Sequence, residues 1–291
     1  MHQYLDAIGF HNVKTKKQLY DILTQVETAF TQHELISQEE GVDFCEFQKE
    51  YAPGIGISLC GDMDLDECFM RQYYFPYFIG TGVTSYADVA MEKRIDRDAY
   101  VGICEDLKIG INLIFYLQNM VEYMKERQMS KSQVKYSSVT LSGLCREGTV
   151  LLPVRKDAMQ EQQQQEEVQN RMMLISAAKS GDPQAIESLT LEDIDTYSKV
   201  SRRLVTEDVF SIVDTYIMPY GVECDHYSIL GTIQDLHTVE NELTGEELTI
   251  MKMEVNGLTF DVCVPSARIT GEPAPGRRFK GNIWLQGRIN F

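Results

Sequence analysis

Residues 247–265 read ELTIMKMEVNGLTFDVCVP, and their pattern decides the C-terminal fold. Asn256-Gly257 is the pair that a two-residue type I′ turn favours, because both turn positions take positive φ. Folding the flanks across that turn sets Val255 against Leu258, Met253 against Phe260 and Met251 against Val262 on one face. The other face sets Glu254 against Thr259 and Lys252 against Asp261, the latter an opposite-charge cross-strand pair. Turn chemistry, period and pairing all agree on a hairpin.

The last strand has the same clarity. Phe279, Gly281, Ile283, Leu285, Gly287, Ile289 and Phe291 fall on one face, and Arg278, Lys280, Asn282, Trp284, Gln286, Arg288 and Asn290 on the other. Together with a strand near 227–239, residues 222–291 predict a small antiparallel barrel-like unit of OB-like or SH3-like size.

Upstream, Leu19, Ile22, Leu23 and Val26 recur at helix spacing after Thr15, an N-cap residue. Pro53-Gly54 joins two period-two segments, and Pro76 within QYYFPYF belongs at a sheet edge or bulge. Residues 107–117 alternate as a strand. A second hairpin is expected through Glu147-Gly148, with Cys145 facing Val150 and Leu141 facing Val154. Residues 1–156 thus predict an antiparallel sheet of perhaps seven strands with a helix packed on it. Residues 157–221 predict an acidic helical segment, with a C-cap at Gly181 and further helices after Thr190 and Thr206, the last ending before Pro219. The fold class is α+β, in three parts: 1–156, 157–221 and 222–291.

The 291 residues suit two domains, and 43% apolar composition is that of an ordinary globular chain. With 44 acidic against 27 basic residues, the net charge of −17 repels nucleic acid as a whole. The opening MHQYLDAIGF has no secretory pattern, no apolar run is long enough to span a membrane, and the seven cysteines are unpaired in pattern. These features predict a cytoplasmic protein with reduced thiols.

The acidic loop GDMDLDE invites a calcium reading, but Glu67 and Tyr73 stand where an EF-hand needs Gly and Glu, so a solvated turn is expected. Neither Gly54-Ile55-Gly56 nor Gly80-Thr81-Gly82 extends to a phosphate-loop motif, and no cofactor is predicted. Cys224 and His226 lie two apart at a strand start. They lack further ligands for zinc and a third group for nucleophilic chemistry, so no metal site is predicted. Arg94, Asp96, Arg97 and Asp98, with Glu105 and Asp106, form either a surface salt-bridge patch or a polar cleft suited to acid–base work. The strand face of Arg277, Arg278, Lys280, Trp284 and Arg288 resembles a single-stranded nucleic-acid platform. Residues 222–291 nonetheless carry ten acidic and six basic residues, which favours docking on protein, within the chain or with a partner.

The opening MHQYLDAIGF, the stretch FPYFIGTGVTSYADVAMEKRIDRDAYVGICEDLKIG, the segment EDVFSIVDTYIMPYGVECDHYSILG and the ending GRRFKGNIWLQGRI carry a resemblance. Together they resemble a domain-of-unknown-function family of uncharacterised proteins of about this length from anaerobic Firmicutes. The resemblance implies a bacterial, cytoplasmic protein and no particular chemistry.

The leading expectation is a non-enzymatic intracellular binding or adaptor protein. Its protein partner would be contacted by Trp284, Arg278, Lys280 and Arg288. The alternative is a small hydrolase or transferase using Asp96, Asp98, Glu105 or Asp106 with Arg94 or Arg97. A third reading is oligonucleotide binding by the C-terminal strand face.

Overall fold

A computed structural model describes residues 2–37, 42–94, 99–106, 111–130, 134–154, 158–203 and 208–291. In chain order its strands are β1 (Gln32–Ser37), β2 (Asp43–Ala52), β3 (Ile55–Met63), β4 (Phe69–Phe78), β5 (Val89–Lys93), β6 (Tyr100–Cys104) and β7 (Leu113–Leu117). They continue with β8 (Ser138–Leu151), β9 (Tyr216–Pro219), β10 (His226–Glu240), β11 (Glu247–Val255), β12 (Leu258–Pro265), β13 (Ile269–Thr270) and β14 (Arg278–Asn290). The helices are α1 (Lys16–Thr28), α2 (Met120–Met129), α3 (Ala158–Lys179), α4 (Pro183–Arg203) and α5 (Val209–Ile212), and a 3₁₀ turn spans Gln3–Ile8. The class is α+β, as the periodicities predict.

The predicted hairpin forms in the predicted register. Val255 pairs with Leu258, Met253 with Phe260, Met251 with Val262 and Lys252 with Asp261. Asn256 and Gly257 take φ of 49° and 79°, the two positive values of a type I′ turn. The apolar members of these pairs are all buried and face the interior of a closed barrel. Its five strands close in the order β8-β12-β11-β10-β14, with β14 returning to β8. Closure removes the open edges that a five-strand sheet would otherwise expose.

One barrel strand comes from an unexpected place. Residues 138–151 do not turn at Glu147-Gly148; they continue past it as β8, with a bulge where Arg146 and Glu147 together face Asn282, antiparallel to β14 and parallel to β12. Gly148 is needed for space, since a Cβ there would lie 2.2 Å from Phe279 Cζ. It pairs with Gly281, so two glycines leave room for one ring inside the barrel. The barrel therefore draws on both sides of residue 156, and that boundary does not divide the sheets. Nor is there one N-terminal sheet. β1–β4 form a four-strand antiparallel sheet, while β5, β6 and β7 join the barrel through a parallel β7–β14 pairing. The strand expected over 107–117 is described only as Leu113–Leu117.

In the middle segment Gly181 takes φ 87° at the end of α3, as expected of a C-cap. α4 starts at Pro183 rather than after Thr190, because the Asp182 carboxylate accepts from the Gln184 N–H at 2.9 Å and proline suits the first helical position. The helix expected to run to Pro219 is only the four residues of α5, capped by Asp208, and β9 follows it onto β10.

The small sheet meets the barrel along β4, its edge strand, where proline is tolerated. Side chains satisfy that edge. Gln286 Nε2 donates to the Pro76 carbonyl at 2.8 Å and Gln286 Oε1 accepts from the Phe78 N–H at 3.1 Å. Gln118 and Ser142 both donate to the Phe78 carbonyl. Gln286, which looks from sequence like a surface residue, is fully buried as the main connector. α1, held by a Thr15–Gln18 capping box, packs on β2 and β3. The 3₁₀ turn lays Tyr4, Leu5, Ala7 and Ile8 against β8, β12 and β4.

Candidate functional site

Two adjoining cavities open where the 3₁₀ turn crosses the start of β10, and Gln3 and His226 line both. The first, about 310 Å³, is also lined by Asp6, His11, Arg146, Glu147, Arg268 and Asn282. The second, about 410 Å³, is walled by His2, Tyr116 and Trp284, with Arg94, Glu223 and Asp225 at its polar side. Volumes of this order are those of small-molecule sites.

β-pairing builds the inner wall. His226 lies opposite Trp284 in the β10–β14 ladder, and the Leu285 N–H donates to the Asp225 carbonyl at 2.9 Å. That register brings the Trp284 indole N–H to the Asp225 carboxylate at 2.9 Å. The indole is further packed by His2, Tyr4 and Tyr116, with ring centroids 4.7, 5.6 and 5.2 Å away. Trp284 is 4% exposed and Asp225 2%.

Burial lowers the pKa of the His226 imidazole, outweighing the opposing pull of Asp225 and Glu223. The ring is therefore neutral at neutral pH, and its 4.0 Å approach to Asp225 is not an ion pair. Burial, reinforced by Cys145, holds the Tyr4 phenol protonated well above its usual range. Burial and the nearby Asp225 raise the Cys224 thiol. Neither group is poised as a nucleophile or base at neutral pH. Among the described residues no cluster of three or more His, Cys, Asp or Glu side chains is placed to hold a metal ion.

The expected partner face is largely internal. Its tryptophan is enclosed, and the Arg278 guanidinium donates to the carbonyls of Leu152, Val213 and Phe210 at 3.0, 2.9 and 2.7 Å. Lys280 Nζ sits 4.5 Å from the centre of the Phe210 ring, and Arg288 lies 3.6 Å from Glu122. The alternating pattern identified the face correctly, but the chain itself covers it. This removes the exposed platform that oligonucleotide binding needs.

Of the predicted acid–base cluster, Asp96, Arg97 and Asp98 lie outside the described residues. Arg94 reaches the second cavity, 3.9 Å from Glu223. Glu105 lies 3.5 Å from Lys179, and Asp106 accepts from Ser85 Oγ at 2.6 Å. These two follow Cys104, which pairs with Val89, whereas Arg94 follows Lys93, which pairs with Tyr100. Arg94 is thus at the opposite end of the β5–β6 ladder from Glu105 and Asp106, and the three do not form one cleft. In the acidic loop, the Asp64 carboxylate accepts from the Asp66 and Cys68 N–H groups, as a turn between strands requires.

The sequence reading missed His2, Gln3, Tyr116, Arg146 and Arg268, which converge only in three dimensions. In sequence His226 stands out only through its spacing to Cys224, as a metal ligand or part of a nucleophile pair.

A family model described as "Domain of unknown function, E. rectale Gene description (DUF3881)" matches residues 5–287. No curated protein and no solved structure matches the chain. Among the described residues no helix is long and apolar enough to cross a membrane.

Proposed function

Because the chain belongs to this family of unknown function, its role has to be read from its own cleft, and we propose a non-enzymatic protein that binds a small polar ligand beside Gln3 and His226. The observation carrying this reading is the buried Trp284–Asp225 pair, which gives an aromatic-walled cavity a fixed inner wall next to arginine and amide donors. Concave sites with apolar walls and a few placed polar groups are the usual form of small-ligand pockets. The raised thiol of Cys224, which stays protonated, favours binding over nucleophilic chemistry at that residue.

Trp284 is the chain's one tryptophan, so its emission reports on this cleft alone. Titration with AMP, citrate and spermidine is expected to give a saturable change in emission with at least one of them. The same compound should raise the melting temperature, since a ligand of the native state stabilises by mass action. A flat response to all three compounds by both measurements would remove the reading.

A protein partner is the second reading, at α4. Ile186, Leu191 and Ile194 are exposed on the side of α4 away from buried Ala185, and Glu187 lies among them. Asp195 lies close by on the same helix, as does Asp193, which accepts from Arg171 of α3 at 2.8 Å. An apolar stripe set among carboxylates fits a partner with an apolar patch flanked by lysine or arginine. A basic amphipathic test helix should bind the wild type and lose affinity at least about tenfold to Leu191→Lys with Ile194→Lys. Equal binding to both would dismiss this surface.

A further inference from the structure

The β8 bulge borders the smaller cavity. Arg146 and Glu147 together face Asn282 there, and all three residues line the cavity. A bulge re-aims side chains that regular alternation would send to opposite faces, and bulges are common beside sites for that reason. The adjoining wall comes from the short 3₁₀ turn Ser266–Arg268 that follows β12. Ile269 pairs with Gly148 in the parallel β13–β8 ladder, so Arg268 and Glu147 hold neighbouring positions, one residue earlier on each chain.

Most of the charge around this cavity is already matched. Arg146 lies 3.0 Å from Asp6, and His11 lies 3.4 Å from Glu246. Glu147 and Arg268 differ. Among the described residues neither has an ion-pair partner, and although the register sets them side by side they do not bond to each other. One carboxylate and one guanidinium thus stand together, unpaired, in a cavity of about 310 Å³ whose lining also includes the uncharged polar residues Gln3, Tyr220 and Asn282.

We propose that this cavity binds a free α-amino acid with an uncharged polar side chain, its ammonium on Glu147 and its carboxylate on Arg268. The proposal rests on the small-ligand reading of the cleft and adds the ligand's place and chemical class. The two charges of an α-amino acid sit on groups attached to one carbon, which matches an anion and a cation on neighbouring positions. A phosphate or a polyamine would be repelled by one of the two. The guanidinium fork fits the two oxygens of a carboxylate, and a carboxylate accepts from an ammonium.

The test is calorimetric titration of the full chain with L-glutamine, L-asparagine and L-serine, then with the N-acetyl and carboxamide derivatives of whichever binds most tightly. The free amino acid is expected to bind at least about tenfold more tightly than either derivative, each of which lacks one charge. Arg268→Gln should erase the advantage over the carboxamide, and Glu147→Gln the advantage over the N-acetyl compound. Both positions are exposed, so neither substitution threatens the fold. Derivatives that bind as tightly as the parent, or a variant that weakens parent and both derivatives alike, would overturn the zwitterion assignment while the cleft reading stands. No binding of the three amino acids by a protein that responds to AMP, citrate or spermidine would overturn it in the same way. Silence towards all of these compounds would overturn both readings.

Discussion

The indole nitrogen of Trp284 donates to Asp225 Oδ2 at 2.9 Å, and neither residue is more than 4% exposed. This bond joins the start of β10 to the middle of β14 and fixes the wall of the cleft. Trp284→Phe would keep a ring there but leave a buried carboxylate oxygen without its donor. An orphaned buried acceptor costs about 1–3 kcal/mol, and more when it is charged. Chemical denaturation should therefore show a loss of about 2–4 kcal/mol for Trp284→Phe, including lost ring area. A loss below about 0.5 kcal/mol would mean that the bond contributes nothing of this kind.

His226 gives the cleft a pH dependence of definite sign. Its folded-state pKa lies below the ordinary 6.5, so the unfolded chain binds the proton more readily. Stability from this group is complete above 6.5 and is lost as pH falls through that value to the depressed one. His226→Gln should flatten the slope of stability against pH between neutral and mildly acid conditions. Parallel melting curves for the two proteins over that range would contradict the assignment.

Gly148→Ala is expected to destabilise the barrel by about 1–3 kcal/mol, the usual cost of overpacking. The added methyl would meet the Phe279 ring and the Lys280 carbonyl, at 2.2 and 2.7 Å before any relaxation. If Gly148 served a turn, the penalty would come from φ instead, yet its φ is not positive. A double variant, Gly148→Ala with Phe279→Leu, should recover part of the loss relative to the sum of the single changes. Strict additivity would show that the ring is not what the glycine accommodates.

Gly148 and Gly257 differ in how local their constraints are. Asn256-Gly257 was legible because both its turn and its register are local, and every pair formed as expected. Glu147-Gly148 looks the same at short range, but there the glycine answers to Phe279, more than a hundred residues away. The distinction lies in a tertiary contact that periodicity does not encode. Trp284 and Arg278 illustrate the matching limit for sites. Alternation placed both on a polar face, whereas His2, Tyr4, α5 and the segment after β8 arrive from distant parts of the chain to cover it. His226 was visible in sequence only as a histidine near a cysteine, because Gln3 and Arg146 become its neighbours through the barrel's closure.

Glu46 makes the last prediction, away from the cleft. It lies on β2 with its carboxyl buried at 4% exposure, accepting from Ser58 Oγ at 2.5 Å and Gln48 Nε2 at 3.0 Å. Burial raises its pKa above the ordinary 4.5 in spite of those two bonds, and Glu34 adds to the rise. A raised folded-state pKa means that the native protein holds this proton more tightly than the unfolded chain. The stability it contributes is complete below 4.5 and declines as pH climbs through that value to the folded-state one. Glu46→Gln keeps an acceptor for Ser58 and Gln48 and removes the ionisation. Its melting temperature should therefore gain on the wild type as pH rises from about 4 and level off once the wild-type carboxyl has ionised. A constant difference from acid to neutral pH would show that the buried carboxyl does not titrate with folding.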